Sequence, residues 1–348
     1  MEKISCWIII FVALPLHVLA ANGVLSTAQF GLPFVSEMSG TMNKVDLGYG
    51  TNRPEYDISY TGEDYKKFVD LQLGAQIPLY ARTFEVDGKP SWGIALSIPF
   101  SVHIWEDMWE EVTAPVLNND YRFGLGTFRY IKYLESDHFI KNIGVNFAPI
   151  NHECTHIGDE LTIYRKDADL PITRVNISYE YSELSITLND PNGSRETLHS
   201  FRLGTMIRIS DRGQGWYGLR PEEGDTSVLS VSDKRYEVYG EYQMQRTHGF
   251  LASGNVMNVA SIEVRSRLKY GYPFLKEEAN GVDWEEVTKS ERMVPSVNAY
   301  FGWRYYPDVP GSAYSNVGLY VNAYQGVNYH GMFRNMKYGY LGLSIVIE

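Results

Sequence analysis

A chain of 348 residues, 44% hydrophobic and 14% aromatic, has ample material for a packed core, which excludes intrinsic disorder and fibrous repeats. Its 31 Lys and Arg against 42 Asp and Glu give a net charge of −11, which argues against a nucleic-acid partner because nothing here can neutralise a phosphate ladder. The 26 Tyr and 31 Gly beside only 15 Pro point to extended strands rather than helical bundles.

Met1-Glu2-Lys3 precedes an apolar run from Ile4 to Ala20 that closes on Val18-Leu19-Ala20. This reads as a cleavable secretory signal peptide over residues 1–20. Cys6 leaves with it, so Cys154 is the sole cysteine of the exported chain and no intrachain disulfide forms. An exported chain of this size without a disulfide fits a bacterial envelope protein. Residues 21–42 then read as a periplasmic lead-in or partial plug, ahead of a barrel domain over 43–348.

No later segment approaches the run of about 18 apolar residues that a membrane helix needs, yet period-two alternation recurs along the chain. Twelve strands are predicted, at 43–51, 66–83, 90–104, 121–134, 140–153, 173–189, 198–210, 233–246, 257–272, 292–306, 313–326 and 337–347. Val297, Ala299, Phe301, Trp303 and Tyr305 show the pattern against Asn298, Tyr300, Gly302 and Arg304. Leu341, Leu343, Ile345 and Ile347 show it again at the last strand. Long polar connections alternate with short ones that carry turn chemistry, such as Asp87-Gly88 and Asp190-Pro191-Asn192-Gly193. That rhythm predicts an all-β fold: a transmembrane antiparallel barrel with short periplasmic turns and long external loops. In the sixth strand the apolar parity changes between Val175, Ile177, Tyr179, Tyr181 and Leu184, Ile186, Leu188, which predicts a β-bulge near Ser182.

Charged strand residues are expected to face inward, because a basic side chain at the bilayer midplane costs about 2–4 kcal/mol. Arg202, Arg208, Glu237, Glu241, Glu263, Arg265, Arg267 and Lys269 are therefore predicted to line a narrow lumen. Trp92, Trp105, Trp109 and Trp303 are assigned to an aromatic girdle.

The segment Asn151-His152-Glu153-Cys154-Thr155-His156-Ile157-Gly158-Asp159-Glu160, followed by Arg174-Val175-Asn176-Ile177-Ser178-Tyr179-Glu180, is the most unusual chemically. It resembles a family of uncharacterised bacterial outer-membrane barrels, marked by His-x-Ser-Ser-His-x-Gly-Asp-Glu and then an Arg-Ile-Asn-hydrophobic-Ser-Tyr-Glu strand. Cys154 and Thr155 stand at the paired serines. The resemblance implies a barrel fold and an outer-membrane location, and brings no activity. His152, His156, Asp159, Glu160, Arg174, Asn176 and Glu180 are expected to form a polar network or binding site at the barrel mouth.

The same segment also resembles the arrangement of the outer-membrane phospholipases, with Cys154 as nucleophile, His152 as base and Asn176, facing His152 across the strands, as orienter. Asp159 and Glu160 would then hold a calcium ion. Against that reading, unbroken alternation puts His152 and Asn176 on the polar face with Asn146, away from lipid. No other cofactor is expected. Three readings follow: a narrow small-solute channel or transport-associated barrel, a closed structural or adaptor barrel contacting lipid or an envelope partner, and an acyl hydrolase. An inward basic column without acids favours the first reading, and full pairing of its charges favours the second. An outward-facing His152–Cys154 pair favours the third.

Overall fold

A computed structural model describes residues 34–38, 40–51, 67–107, 116–134, 139–158, 173–176, 178–190, 197–210, 215–218, 228–229, 236–249, 251–269, 274–278, 281–285, 292–306, 316–334 and 337–347. Twelve antiparallel strands form the wall. In chain order they are β1 (Asn43–Gly50), β2 (Lys67–Val86), β3 (Lys89–Glu106), β4 in two runs (Val116–Gly124 and Thr127–Tyr133), β5 (Asn142–Ile157) and β6 (Ser178–Leu188). There follow β7 (Leu198–Ser210), β8 (Tyr236–Arg246), β9 (Val256–Lys269), β10 (Arg292–Tyr305), β11 (Val317–Val327) and β12 (Lys337–Ile347). Each pairs with its chain neighbours, and β1 closes on β12 from Asn43↔Ile347 to Gly50↔Tyr340. The closed sheet leaves no edge strand, as a membrane-spanning sheet requires.

Alternation fixes which face meets lipid. Phe147, Leu184, Ile186, Leu203, Phe301, Val321 and Leu343 are exposed on the outer wall, while their strand neighbours Ser185, Arg202, Tyr300, Asn322 and Ser344 are buried inside. A belt of exposed Leu, Ile, Val and Phe around a polar interior inverts the order of a water-soluble barrel and suits one immersed in lipid. The turn between β2 and β3 uses Asp87 and Gly88, both at positive φ (51° and 74°), as a tight hairpin needs. Thr173–Asn176 pairs with Gly215–Gly218, which also pairs with Val228–Leu229; Phe274–Glu278 pairs with Gly281–Glu285. These small ribbons lie within the long connections.

The sixth strand differs from the sequence expectation. β6 keeps one parity throughout, with Tyr179 and Tyr181 buried inside alongside Ser185 and Thr187. The irregularities lie in its neighbours. On β5 the register shifts between Ala148 and Asn151, and on β7 two residues, Ile209 included, are spanned where β6 advances from Glu180 to Tyr181. Ser182 marks the level of the bulge without being it: its hydroxyl donates to the Pro149 carbonyl at 2.5 Å. The fourth strand also begins earlier than expected, at Val116.

Trp105 is a second correction. It is buried inside the external end of the barrel, stacked on His330 at 5.0 Å with an interplanar angle of 2°. Trp92 stays on the wall, stacked on Phe84 at 3.7 Å. Trp109 and the expected signal peptide lie outside the described residues.

Candidate functional site

The lumen is occupied. Phe34, Val35, Ser36, Met38 and Met42, which precede or lead into β1, are buried inside the barrel. The walls satisfy the backbone of this segment: Gln243 accepts from Val35 N (3.0 Å), Glu263 accepts from Met38 N (3.2 Å), and Asn298 donates to the Ser36 carbonyl (2.8 Å). Arg122 donates to the Met38 carbonyl (3.4 Å), and the Ser36 and Ser261 hydroxyls meet at 2.7 Å. Glu37 takes the Arg202 guanidinium at 2.6 Å, while that guanidinium also lies over the Phe34 ring. Such contacts give wall partners to backbone groups that a short irregular segment cannot satisfy by itself.

The arginines and glutamates predicted to line the lumen are paired. Arg202 also reaches Glu241 (3.2 Å), Arg208 reaches Glu237 (3.9 Å), Arg265 reaches Glu263 (2.8 Å) and Glu237 (3.9 Å), and Arg267 reaches Glu263 (3.9 Å). Lys269 ends β9 opposite Arg292, and its side chain is outside the described set. The lumen keeps a cavity of about 90 Å³ beside Glu37 and Thr41, lined by Gln76, Arg129, Asn146 and Glu183 among others.

The external end is closed by the connection from β11 to β12, which folds inward. His330 is fully buried, 3.4 Å from Asp70 and 3.2 Å from Asp120. Arg334 reaches Glu153 (3.1 Å) and Glu237 (3.5 Å), and Arg122 shares Glu153 at 3.1 Å. Tyr329 donates to Asp70, and Phe333 packs in one cluster with Met38, Phe68, Trp105 and Leu117. Sequence reasoning missed Asp70, Asp120, Glu153, His330 and Arg334. The available signal was a compact external loop unusually dense in His, Tyr, Phe and Arg.

At the mouth, the parity change at Pro149–Ile150 rearranges the sequence-predicted cluster. Asn151, Glu153 and Thr155 face inward, and Thr155 donates to Asn118 at 2.9 Å. His152, Cys154 and His156 consequently take the outer face, His152 and Cys154 half-buried and His156 exposed. Across the strand pair His152 faces Glu180, and Cys154 faces Ser178. His152 Nδ1 lies 3.2 Å from Glu180 Oε1. Asn176 therefore does not stand opposite His152: it ends the short strand paired with Gly215–Gly218. Arg174 lies on that same strand, and its side chain, like that of Asn176, is outside the described set. The expected mouth network is thus divided: His152 and Glu180 form a pair on the outer wall, His156 sits near Tyr121, and the inner mouth belongs to other residues. Asp159 and Glu160, and the calcium site placed on them, lie outside the described residues; among those described, no three His, Cys, Asp or Glu side chains converge as metal ligands do.

No protein-family model matches the chain, and no curated protein matches it in sequence. Among solved structures it is similar to outer membrane phospholipase A from Escherichia coli, at 13% identity and a TM-score of 0.41 over 88% of this chain and 90% of that one. It is similar also to the Salmonella typhi outer membrane phospholipase dimer with bound calcium, at 12% identity and a TM-score of 0.41 over 89% and 91%. The translocator domain of the autotransporter NalP from Neisseria meningitidis follows at 9% identity and a TM-score of 0.37 over 88% and 86%. The chain is an all-β, closed twelve-stranded antiparallel barrel of the outer-membrane type, as its own strand pairing and lipid-facing belt show.

Proposed function

We propose that this protein is a closed barrel of the bacterial outer membrane, sealed to solutes, that serves the envelope through its wall and its external mouth. The observation that carries this reading is the occupied lumen: residues 34–38 and 40–42 lie inside the barrel, held by Arg122, Arg202, Gln243, Ser261, Glu263 and Asn298. A passive small-solute channel needs a continuous wet path, and an ion-selective one adds rings of charge along it. Here Arg202, Arg208, Arg265 and Arg267 each have a carboxylate within 4.0 Å.

Planar-bilayer recording of the folded protein at neutral pH and high salt tests the reading. The expected trace is silent, with the barrel shown to be folded by its faster migration before boiling in denaturing gels. Discrete, reproducible conductance steps from the intact protein overturn it and restore the channel.

A further inference from the structure

Arg129 breaks the pairing rule of this interior. Arg122, Arg202, Arg208, Arg265, Arg267 and Arg334 each have a carboxylate within 4.0 Å. Arg129 of β4 is 8% exposed, and among the described residues no carboxylate stands within that distance of it. Its Nη1 donates to Ser97 Oγ at 3.5 Å, and its Nε has no hydrogen-bond partner. A buried cation without a counter-charge is costly, and an unused guanidinium donor inside a fold points to a missing acceptor.

The guanidinium borders the cavity of about 90 Å³ beside Glu37 and Thr41. Register sets Arg129 opposite Asn146 of β5, and Asn146 opposite Ser185 of β6, so the three form one row of the cavity wall. Each lies within four residues of a strand end, at Tyr133, Asn142 or Leu188, on the side of the short connections. Asn146 Nδ2 donates to Ser185 Oγ at 3.3 Å, which leaves the serine hydroxyl hydrogen free for a guest. The unused Nε–H of Arg129 and the Nη2–H beside it form the guanidinium edge that takes both oxygens of a carboxylate in parallel.

Glu37 and Glu183 on the same wall limit the charge of that guest. Glu37 is held by Arg202 at 2.6 Å. Glu183 accepts from the Tyr239 hydroxyl at 2.5 Å and also borders the cluster of Arg122, Arg265 and Arg267. Both are engaged away from Arg129, yet they repel a dianion more strongly than a monoanion. The volume corresponds to about six to nine water positions, which admits an acid of about four to six non-hydrogen atoms and excludes a fatty acid.

We infer that the cavity at Arg129 is a binding site for a small monocarboxylate, held side-on by Arg129 Nε and Nη2 with the Ser185 hydroxyl as a further donor. The guest supplies the counter-charge that the chain omits, and it lies against Glu37 and Thr41 of the inserted segment. The site is approached from the end of the short connections, so it goes beyond the sealed-lumen reading and needs no path through the barrel.

The test uses the full folded protein in detergent micelles with sodium acetate as the probe, and with sodium phosphate and sodium chloride at matched ionic strength beside it. The NMR line width of isotope-labelled acetate and the thermal midpoint of the protein are followed as each salt is titrated. The expected result is a saturable acetate response with a rising midpoint, which phosphate and chloride do not match. Arg129→Gln should weaken acetate binding at least about tenfold, whereas Arg82→Gln, on an exposed stretch of β2, should leave it within about twofold. Asn146→Asp gives a second reading that keeps Arg129. It plants a carboxylate opposite the guanidinium, so it should raise the midpoint in the absence of acetate and abolish the acetate response. Folding of each variant is checked by gel migration before boiling. A folded protein without a saturable acetate response overturns the inference, as does a response that Arg129→Gln leaves within twofold or that Asn146→Asp leaves intact. An equal response to chloride, or a tighter hold on phosphate, overturns the assignment to a carboxylate. None of these outcomes touches the sealed-lumen reading, which conductance alone decides.

Discussion

Glu153 illustrates how strongly single residues govern this interior. It receives Arg122 at 3.1 Å and Arg334 at 3.1 Å, joining β4, β5 and the external loop. Removing one partner from a buried ion pair leaves an uncompensated charge and costs about 3–5 kcal/mol. Glu153→Ala should therefore lower the unfolding free energy by about that amount, read as a lower denaturant midpoint, whereas Glu85→Ala, on an exposed stretch of β2, should leave the midpoint unchanged. His330 makes a second prediction. It lies in the loop outside the spanning strands; burial alone would lower its pKa, but the Asp70 and Asp120 carboxylates outweigh burial and raise it from the usual 6.5 to about 9. A raised folded-state pKa stabilises the fold fully below 6.5 and ceases to do so as pH rises through about 9. The thermal midpoint should accordingly fall between pH 7 and pH 10, and His330→Gln should flatten that fall. An unchanged slope in the variant would assign the pH dependence elsewhere.

At the scale of elements, glycines and tyrosines share the interior by size. Gly204 of β7 faces Tyr239 of β8, and a Cβ on it would lie 2.3 Å from the Tyr239 Cζ. The ring is held in place from its other side by the Arg265 guanidinium at 4.3 Å. Gly204→Val should displace it and cost about 1–3 kcal/mol, read as a lower denaturant midpoint. Strand number, order and most boundaries were legible in the sequence because lipid outside and polar contacts inside enforce a strict period of two. The faces of β5 and β6 were not. Phe147-Ala148-Pro149-Ile150 is apolar throughout, so no alternation betrays the parity change there. Tyr179 and Tyr181 misled for another reason: tyrosine has an apolar body and a polar tip, and serves inside a barrel as readily as at its rim. The pairing of Glu180 with His152 stayed hidden because it depends on register, which is set by the intervening connection. Trp105 was misplaced because its cover, the His330 loop, lies far away in sequence.

For the whole molecule, the apolar belt and the filled lumen are two sides of one wall, separated by a single residue. Leu203 is 70% exposed on the outside, while Arg202 beside it is 7% exposed within. Leu203→Arg should cost about 2–4 kcal/mol in a bilayer, and less in detergent that can adapt to the charge; refolding yields into vesicles and micelles give the comparison. Deleting residues 34–42 should leave the wall standing but the interior wet, so that a silent barrel begins to conduct. If the deleted form is silent too, the external loop and the paired charges suffice as the seal. The position of the internal segment also bears on how the molecule is put together. It runs directly into β1, whose eight paired positions with β12 form the seam. A wall closed around an empty interior would deprive Arg202 of Glu37 and Asn298 of the Ser36 carbonyl. The stretch of chain that fills the barrel is thus continuous with the strand that closes it, and the enclosed segment and the join share one anchor.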